Sequence, residues 1–478
     1  MRRPLPLLCL LALAACDLGP DYKRPAIEVP DAYRATDASA AAAWPEPEWW
    51  QGFRSPELND LIAQARVANF DLLAAIARVR QADAQVRISG APLLPSLTFS
   101  PSAQYQRNAL GSSGSFQGVS FGNKQIENHI YSAEFNASYQ VDFWGQNAAT
   151  YASAQASLLA SKFDQETVAL TVVTSVADTW FQALSLQDRL AIAQQNLRTS
   201  ENVLGAIRGR LTVGTATALD LSQQLALVQG LRANIPNLTS QRDQQVIALG
   251  ILIGRPPEAV NVTPGTLNTL ALPPVGAGLP SDLLLRRPDV ANAEAQLVAQ
   301  NANIKAARAA FFPQVQLTGS GGLSSIAVNT LFFGPGSTVA ALAATATQTI
   351  FDNGLKQGQI EQARGKYDEL VANYRKAVVQ AFTDVEDALT ALRYTTEQEA
   401  LEAQAVATAQ QSVDIAGAQL AAGTIDVTTV LQAQQTLFTD RDTLAQVRLA
   451  RFQALVSLYK ALGGGWTLPP QDAGEMTK

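Results

Sequence analysis

Twelve residues, Val172, Val176, Thr179, Ala183, Leu186, Leu190, Ala193, Leu197, Ser200, Leu204, Ile207 and Leu211, follow one another at alternating spacings of four and three. A stripe of that kind is the seam of a coiled coil. The helical pattern around it runs from Gln146 to about Arg208, some 60 residues, or roughly 95 Å at 1.5 Å per residue. A compact domain core has no room for such a helix, so the chain must build something long.

It does so twice. After a break at Gly214-Thr215 a second seam follows through Leu221, Leu225, Val228, Arg232, Ile235, Thr239, Arg242, Val246, Leu249 and Ile253. Pro236 lies inside this helix and predicts a kink. Later a third seam, Tyr367, Val371, Tyr374, Val378, Ala381, Val385, Ala388 and Leu392, leads to a break at Gly423-Thr424 and a last helix ending near Leu462. Gly214 and Gly423 are 209 residues apart, and that shift lays 211–254 on 420–463 without a gap. "LTVGTATALD" is thus answered by "LAAGTIDVTT", Gln223 by Gln432, Arg242 by Arg451 and Gly254 by Gly463. The chain is an internal duplication, divided by a Pro/Gly-rich linker from Gly254 to Pro280.

Each half also carries strands. Between Ile130 and Phe143 the residues alternate: Tyr131, Ala133, Phe135, Ala137, Tyr139, Val141 and Phe143 point one way, and Ser132, Glu134, Asn136, Ser138, Gln140 and Asp142 the other. An aromatic face opposite a polar one fits a strand with lipid outside and water inside. A sandwich strand is the alternative, but such strands are usually shorter. Ser96–Gln106 alternates more weakly and contains Pro101, "FFPQVQLTGSGGL" matches it in the second half, and Val339–Phe351 is a poorly patterned fourth candidate. A helix is predicted from about Pro56 to Ser89, and another from about Leu283 to Ala309.

The amino terminus, "MRRPLPLLCLLALAAC", has a basic start, a short apolar core and small residues before a cysteine. It reads as a secretory signal, and its ending at Cys16 resembles a bacterial lipobox; a signal with a chance cysteine is the alternative. Lipidation of Cys16 would hold the protein at a membrane. Cys9 would leave with the leader, so the mature chain would hold no disulfide. Loss of Arg2 and Arg3 leaves 33 basic against 41 acidic residues, a net charge of −8 with no basic face for a nucleic acid. No internal apolar run is long enough for a membrane helix. Residues 17–55 are rich in Pro and Trp and read as an extended segment anchored by Trp44, Trp49 and Trp50.

Four strands cannot close a barrel, and an open sheet edge in lipid is forbidden. The chain must therefore oligomerise, and closed cyclic symmetry would satisfy both sheet and helices. Phe143, Trp144, Phe311 and Phe312, at the strand–helix junctions, are the candidate aromatic belt at the membrane interface.

"CDLGPDYKRPAIEVPDAYR", "EWWQGFRSPELNDLIAQA", "LRRPDVANAEAQLVAQNANIKAARAAFFPQ" and "LYKALGGGW" resemble signatures of the TolC-like outer-membrane factors, in particular the NodT-type lipoproteins of resistance-nodulation-division efflux systems. The resemblance spans essentially the whole chain. It implies an α+β homotrimer: an outer-membrane β-barrel, four strands per chain and twelve per trimer, continued by a periplasmic α-helical coiled-coil barrel. The implied partners are a periplasmic adaptor protein and an inner-membrane resistance-nodulation-division pump, with outer-membrane lipid around the barrel. No catalysis and no cofactor are implied beyond the covalent lipid on Cys16. The chain then divides into a leader (1–15), an extended segment (16–55), helical-barrel segments (56–91, 146–254, 281–310 and 354–462), strand-bearing segments (92–145 and 311–353) and equatorial segments (255–280 and 463–478).

By the same resemblance Gly214, Thr215, Gly423 and Thr424 are hairpin tips where the adaptor docks and an aperture closes. A turn without a docking role is the bland alternative. Family members often carry acidic residues in the first turns of the last helix, where this chain has Thr429 and Gln432, and a Tyr and an Arg at the positions of Leu420 and Ile425. Asp220 is kept, and Asp426 lies nearby. The expectation is an aperture held by packing and neutral hydrogen bonds more than by rings of charge. Asp17 after Cys16 is an inner-membrane retention signal in enteric-type sorting, whereas the strands argue for the outer membrane.

Rival functions lack residues to carry them. His129, the one histidine, reads as a loop or rim residue, and with Met476 and Cys16 the only sulfur side chains after the leader, a soft-metal ladder is impossible. A duct for protein secretion and a periplasmic coiled-coil scaffold remain as alternatives; the scaffold would have no need of a lipid-facing strand.

Overall fold

A computed structural model describes residues 22–30, 32–34, 44–109, 125–275, 283–332, 334 and 337–469. Cys9, Cys16, Asp17 and Met476 lie outside the described residues. In chain order the elements are α1 (Pro56–Ala68), α2 (Phe70–Gly90), β1 (Ser96–Ala109), β2 (Gln125–Val141), α3 (Gln146–Thr212), α4 (Ala218–Leu252), α5 (Pro288–Ala309), β3 (Gln314–Ser325), β4 (Thr338–Thr347), α6 (Leu355–Ala422) and α7 (Val427–Ala461). Short 3-10 turns and a one-turn helix, Val328–Leu331, fill the connections. No helix among the described residues is long and apolar enough to cross a membrane.

The two long helices, α3 with 67 residues and α6 with 68, each span about 100 Å. Each begins against the carboxylate of an aspartate just ahead of it. Asp142 accepts the amides of Asn147 and Ala148, and Asp352 those of Gly354 and Lys356. Carboxylates placed there answer the unpaired amides and positive end of a helix. The α3 seam is as the spacing predicts: none of its twelve residues is exposed.

The α4 seam differs. Leu225 is exposed while Gln224 is fully buried, and Leu238 takes the place expected of Thr239. The buried stripe runs through Leu221, Gln224, Val228, Leu231, Ile235 and Leu238. Rotation by one position puts Leu238 in the core against Leu186 and Ala193. Gln224 tolerates burial because its amide donates to the Ser200 carbonyl at 2.7 Å. Pro236 lies inside this helix, which continues on both sides of it.

Each long helix is matched by two shorter ones stacked end to end. The helix expected from Pro56 to Ser89 is interrupted at Asn69, whose extended backbone caps α2 and whose side-chain amide donates to the Leu252 carbonyl at the end of α4. In the second half α5 starts five residues after the expected Leu283. Arg287 occupies the capping position and donates to the Ala461 carbonyl at the end of α7. Leu252 and Ala461 are again 209 residues apart. At both joints a glycine with positive φ, Gly254 (69°) and Gly463 (81°), lies so close to the facing backbone that a Cβ would overlap the carbonyl oxygen of Ala68 or of Arg286. Only glycine satisfies both conditions.

The core sits at these joints. Trp49, Trp50 and Phe53, in a 3-10 turn rather than an extended stretch, pack with Leu58 and Ile62 against Val176, Trp180 and Phe181 of α3 and Phe452 and Tyr459 of α7. Trp49 stacks on Tyr459 at 4.7 Å. Trp44 is only half-buried and lies under the Arg286 guanidinium at 4.5 Å. A second cluster joins Tyr33, Leu283 and Val290 to Tyr374, Val378 and Val385 of α6. Each large side chain fully buried here contributes roughly 1.5–3 kcal/mol.

The strands form one antiparallel sheet in the order β1-β2-β3-β4. β2 starts before the expected Ile130 and ends at Val141, leaving Phe143 in the turn that follows.

Candidate functional site

The sheet separates chemistry by face. Ser96 pairs with Ser138, Phe99 with Phe135, Leu317 with Tyr139 and Leu342 with Gly319, so the pleat places Leu97, Phe99, Phe135, Tyr139, Val315, Leu317 and Leu342 on one side. Serine, threonine, asparagine and glutamine fill most of the other side. The apolar side has no cover: Leu342 is 93% exposed, and Phe99 and Phe135, 4.9 Å apart, are both exposed. Among the described residues nothing pairs with the outer edge of β1 or of β4.

An exposed apolar residue marks every junction between strand and helix: Leu94 before β1, Phe143 after β2, Phe311 before β3 and Phe351 after β4. Trp144 and Phe312 do not stand free. Their rings stack at 4.7 Å, and the Trp144 indole donates to the Pro313 carbonyl at 2.7 Å. Of the four residues expected to form an interfacial belt, two therefore face outward and two tie the junctions together. Leu94 and Phe351 are the other exposed apolar residues at the junctions; their lone positions beside Pro95 and Asp352 gave no periodic signal. His129 lies within β2 rather than at its start, its ring 5.0 Å from Tyr105. Among the described residues no group of three or more His, Cys, Asp or Glu is placed to hold a metal.

At the opposite end are the two tips. Gly214 (φ 77°) and Gly423 (φ 75°) make the left-handed turns that close α3 and α6. Thr215 and Thr424 fold back identically: amide and hydroxyl of each donate to one carbonyl, Arg210 in the first hairpin and Gln419 in the second. The following helix start is also duplicated, with its partners exchanged. In α4 Thr217 is the cap, and its hydroxyl lies 2.8 Å from the Asp220 carboxylate. In α7 Asp426 is the cap, and the Thr429 hydroxyl lies 2.7 Å from its carboxylate. Thr217 corresponds to Asp426 and Asp220 to Thr429 under the 209-residue shift. The Thr429 hydroxyl and amide hold the Asp426 carboxyl below the usual range. Both tip aspartates are thus engaged in starting helices within their own hairpins.

One side chain links the tips. Arg210 donates from Nη2 to the Leu420 carbonyl at 2.6 Å. Of the expected aperture residues, Leu420 and Ile425 are half-buried, and Thr429 and Gln432 are exposed. Arg210 was not legible as a partner, because its target is a backbone oxygen that no residue type encodes; the one available sign is the asymmetry of the repeat, where Gln419 answers Arg210. Farther along the hairpins Arg189 makes a two-point ion pair with Asp442 at 2.7 and 2.9 Å. Burial would raise the Glu399 carboxyl, but Arg448 and Arg451, 2.6 and 2.9 Å away, hold it lower than usual.

The profile of the family described as outer membrane efflux protein matches residues 61–255 and 279–464, one stretch in each half. The chain belongs to the outer membrane efflux protein family. It is 39% identical to the pyoverdine export outer membrane protein OpmQ of Pseudomonas aeruginosa over 96% of this chain and 95% of that one. It is 32% identical to the cation efflux system protein CusC of Escherichia coli over 97% of this chain and 98% of the relative. A crystal structure of CusC superposes with a TM-score of 0.81 at 30% identity, covering 94% of this chain and all of that one. This efflux protein is accordingly an outer-membrane channel of TolC-like fold, from a family of channels rather than enzymes.

Proposed function

We propose that three copies of this efflux protein close their sheets edge to edge, β1 of one copy on β4 of the next, into a twelve-stranded outer-membrane barrel. Their hairpins continue the barrel as a helical tube through the periplasm. The sheet carries the reading: one face is apolar and uncovered, the other polar, and both edges are open, a combination stable in lipid only when closed. The tube is the exit duct of a tripartite pump, meeting a periplasmic adaptor at the tips around Gly214, Thr215, Gly423 and Thr424 and an inner-membrane resistance-nodulation-division pump beyond it. The cargo is a drug or another small toxic compound chosen upstream. Small solutes also stand in the names of the relatives, pyoverdine for OpmQ and cations for CusC.

The aperture at the tips is held by Arg210 on the Leu420 carbonyl and by neutral contacts of Leu420, Ile425, Thr429 and Gln432, since Asp220 and Asp426 are occupied as caps. Lipid on Cys16 is the second anchor and the one covalent addition; no other cofactor takes part. Chain length supports this anchor. Arg24, with Tyr22 beside it, is fixed on the buried Glu294 of α5 at 2.6 Å. Fifteen residues of helix, about 22 Å, lead from Glu294 to the strand junction. The six residues from Cys16 to Tyr22 can span about 20 Å. That reach covers most of the distance to the strand junction.

Purified protein in planar bilayers tests the duct. Discrete conductance steps, together with a heat-modifiable oligomer on gels, are the expected result. A scaffold that never conducts would sink the reading.

A further inference from the structure

We infer that Glu134 sets the ionic preference of the duct where it crosses the membrane. This rests on the trimeric barrel proposed above. The pairing register places Glu134 on the polar face of β2, between Ser100 of β1 and Gly322 of β3. Its neighbours on that face along β2 are Ser132 and Asn136. Among the described residues it is the one charged side chain on the polar face of all four strands: Arg107 and Glu127, paired with each other at 3.5 Å, belong to the opposite face near the strand ends. No described ion pair includes Glu134.

Two further observations describe where this half-buried side chain stands. A Cβ on Gly322 would lie 2.6 Å from the Glu134 Cα and 3.0 Å from its Cγ, so the absent side chain on β3 is what leaves room for the glutamate stem. On the reverse face the adjacent pair in the register is Phe99 and Phe135, whose rings lie 4.9 Å apart. Threefold closure then sets three carboxylates at one height, in a lumen otherwise lined by hydroxyls, amides and small side chains and backed by lipid. A ring of like charge within low-dielectric walls concentrates cations and repels anions. The duct therefore favours cationic and neutral cargo over anionic cargo at this level, independently of what the periplasmic tips admit.

Reversal potentials of the full-length channel in a KCl gradient test this. Glu134→Gln should lower the ratio of potassium to chloride permeability roughly two- to fivefold at low salt, with the difference fading near 1 M, where screening acts over about 3 Å. Ser132→Lys, which leaves Glu134 in place and sets an ammonium beside it, should lower the ratio in the same direction and guards against a folding defect in the first variant. Conducting channels whose ratio is the same in both variants as in the unaltered protein would overturn this inference alone. An unaltered protein that forms no channel would overturn the barrel and this inference with it.

Discussion

Arg210 ties the tip of one hairpin to that of the other, and in the proposed gate the strength of that contact can be read. A charge-assisted hydrogen bond that is partly exposed contributes roughly 1 kcal/mol, or about a fivefold change in an equilibrium. Arg210→Ala should raise the resting conductance in bilayers by about that factor, with Arg210→Lys in between; an unchanged resting current would remove Arg210 from the gate. The capped aspartates lead to a second expectation. With Asp220 and Asp426 hydrogen-bonded to Thr217 and Thr429, a trivalent cation added from the periplasmic side should block only weakly. Tight, submicromolar block would mean that a free carboxylate ring exists after all. Asp178, in α3, provides a pH signature. Burial pushes its carboxyl up to about 6, against the pull of Lys460, and its Oδ1 has no hydrogen-bond partner among the described residues. The native state thus holds a proton that the unfolded chain has already lost, so stability falls as pH rises from about 4 to about 6. Asp178→Asn should flatten that part of the melting-temperature profile and raise the melting temperature at neutral pH; a profile identical to the parent would contradict this.

At the level of elements, the joints between stacked helices carry the design. Asn69→Ala removes a cap and the bond to Leu252, a loss of about 1–2 kcal/mol. Gly463→Ala is expected to be worse, because its Cβ would meet the Arg286 carbonyl and its backbone is left-handed. Limited proteolysis near residues 463–469 and the temperature at which the oligomer dissociates should both report this, whereas Gly417→Ala, with open space around it on α6, should change neither. These joints also mark where sequence reading stops. The seam of α3, the 209-residue echo and the strand alternation of β2 are periodic, and periodicity is visible in one dimension. The break at Asn69 is not: Pro56–Ser89 reads as one helix because the cause of the break, the end of α4, is far away in sequence. The one-position rotation of α4 escaped for a similar reason. Leu225 and Gln224 are adjacent, hydropathy favours the leucine, and only the Ser200 carbonyl across the hairpin makes the glutamine the better buried residue.

The whole molecule follows from one mismatch: helices and core that can stand within one chain, and a sheet that cannot. Its apolar face and two free edges were legible, through the aromatic alternation and the count of strands, while the exposure of Leu94 and Phe351 showed only once the junctions were placed in space. Sequence located the tips as well, but not what their charged residues do, because a capping aspartate and a gating aspartate look alike until hydrogen bonds are seen. The central claim is that three chains complete one another's sheets. Cysteines introduced at facing positions, one on the free edge of β1 and one on the free edge of β4, test it in native outer membranes. Oxidation should link neighbouring copies, so that non-reducing gels show a ladder ending at a closed trimer. Chains that stay monomeric under oxidation, or a ladder that runs on past three, would contradict it.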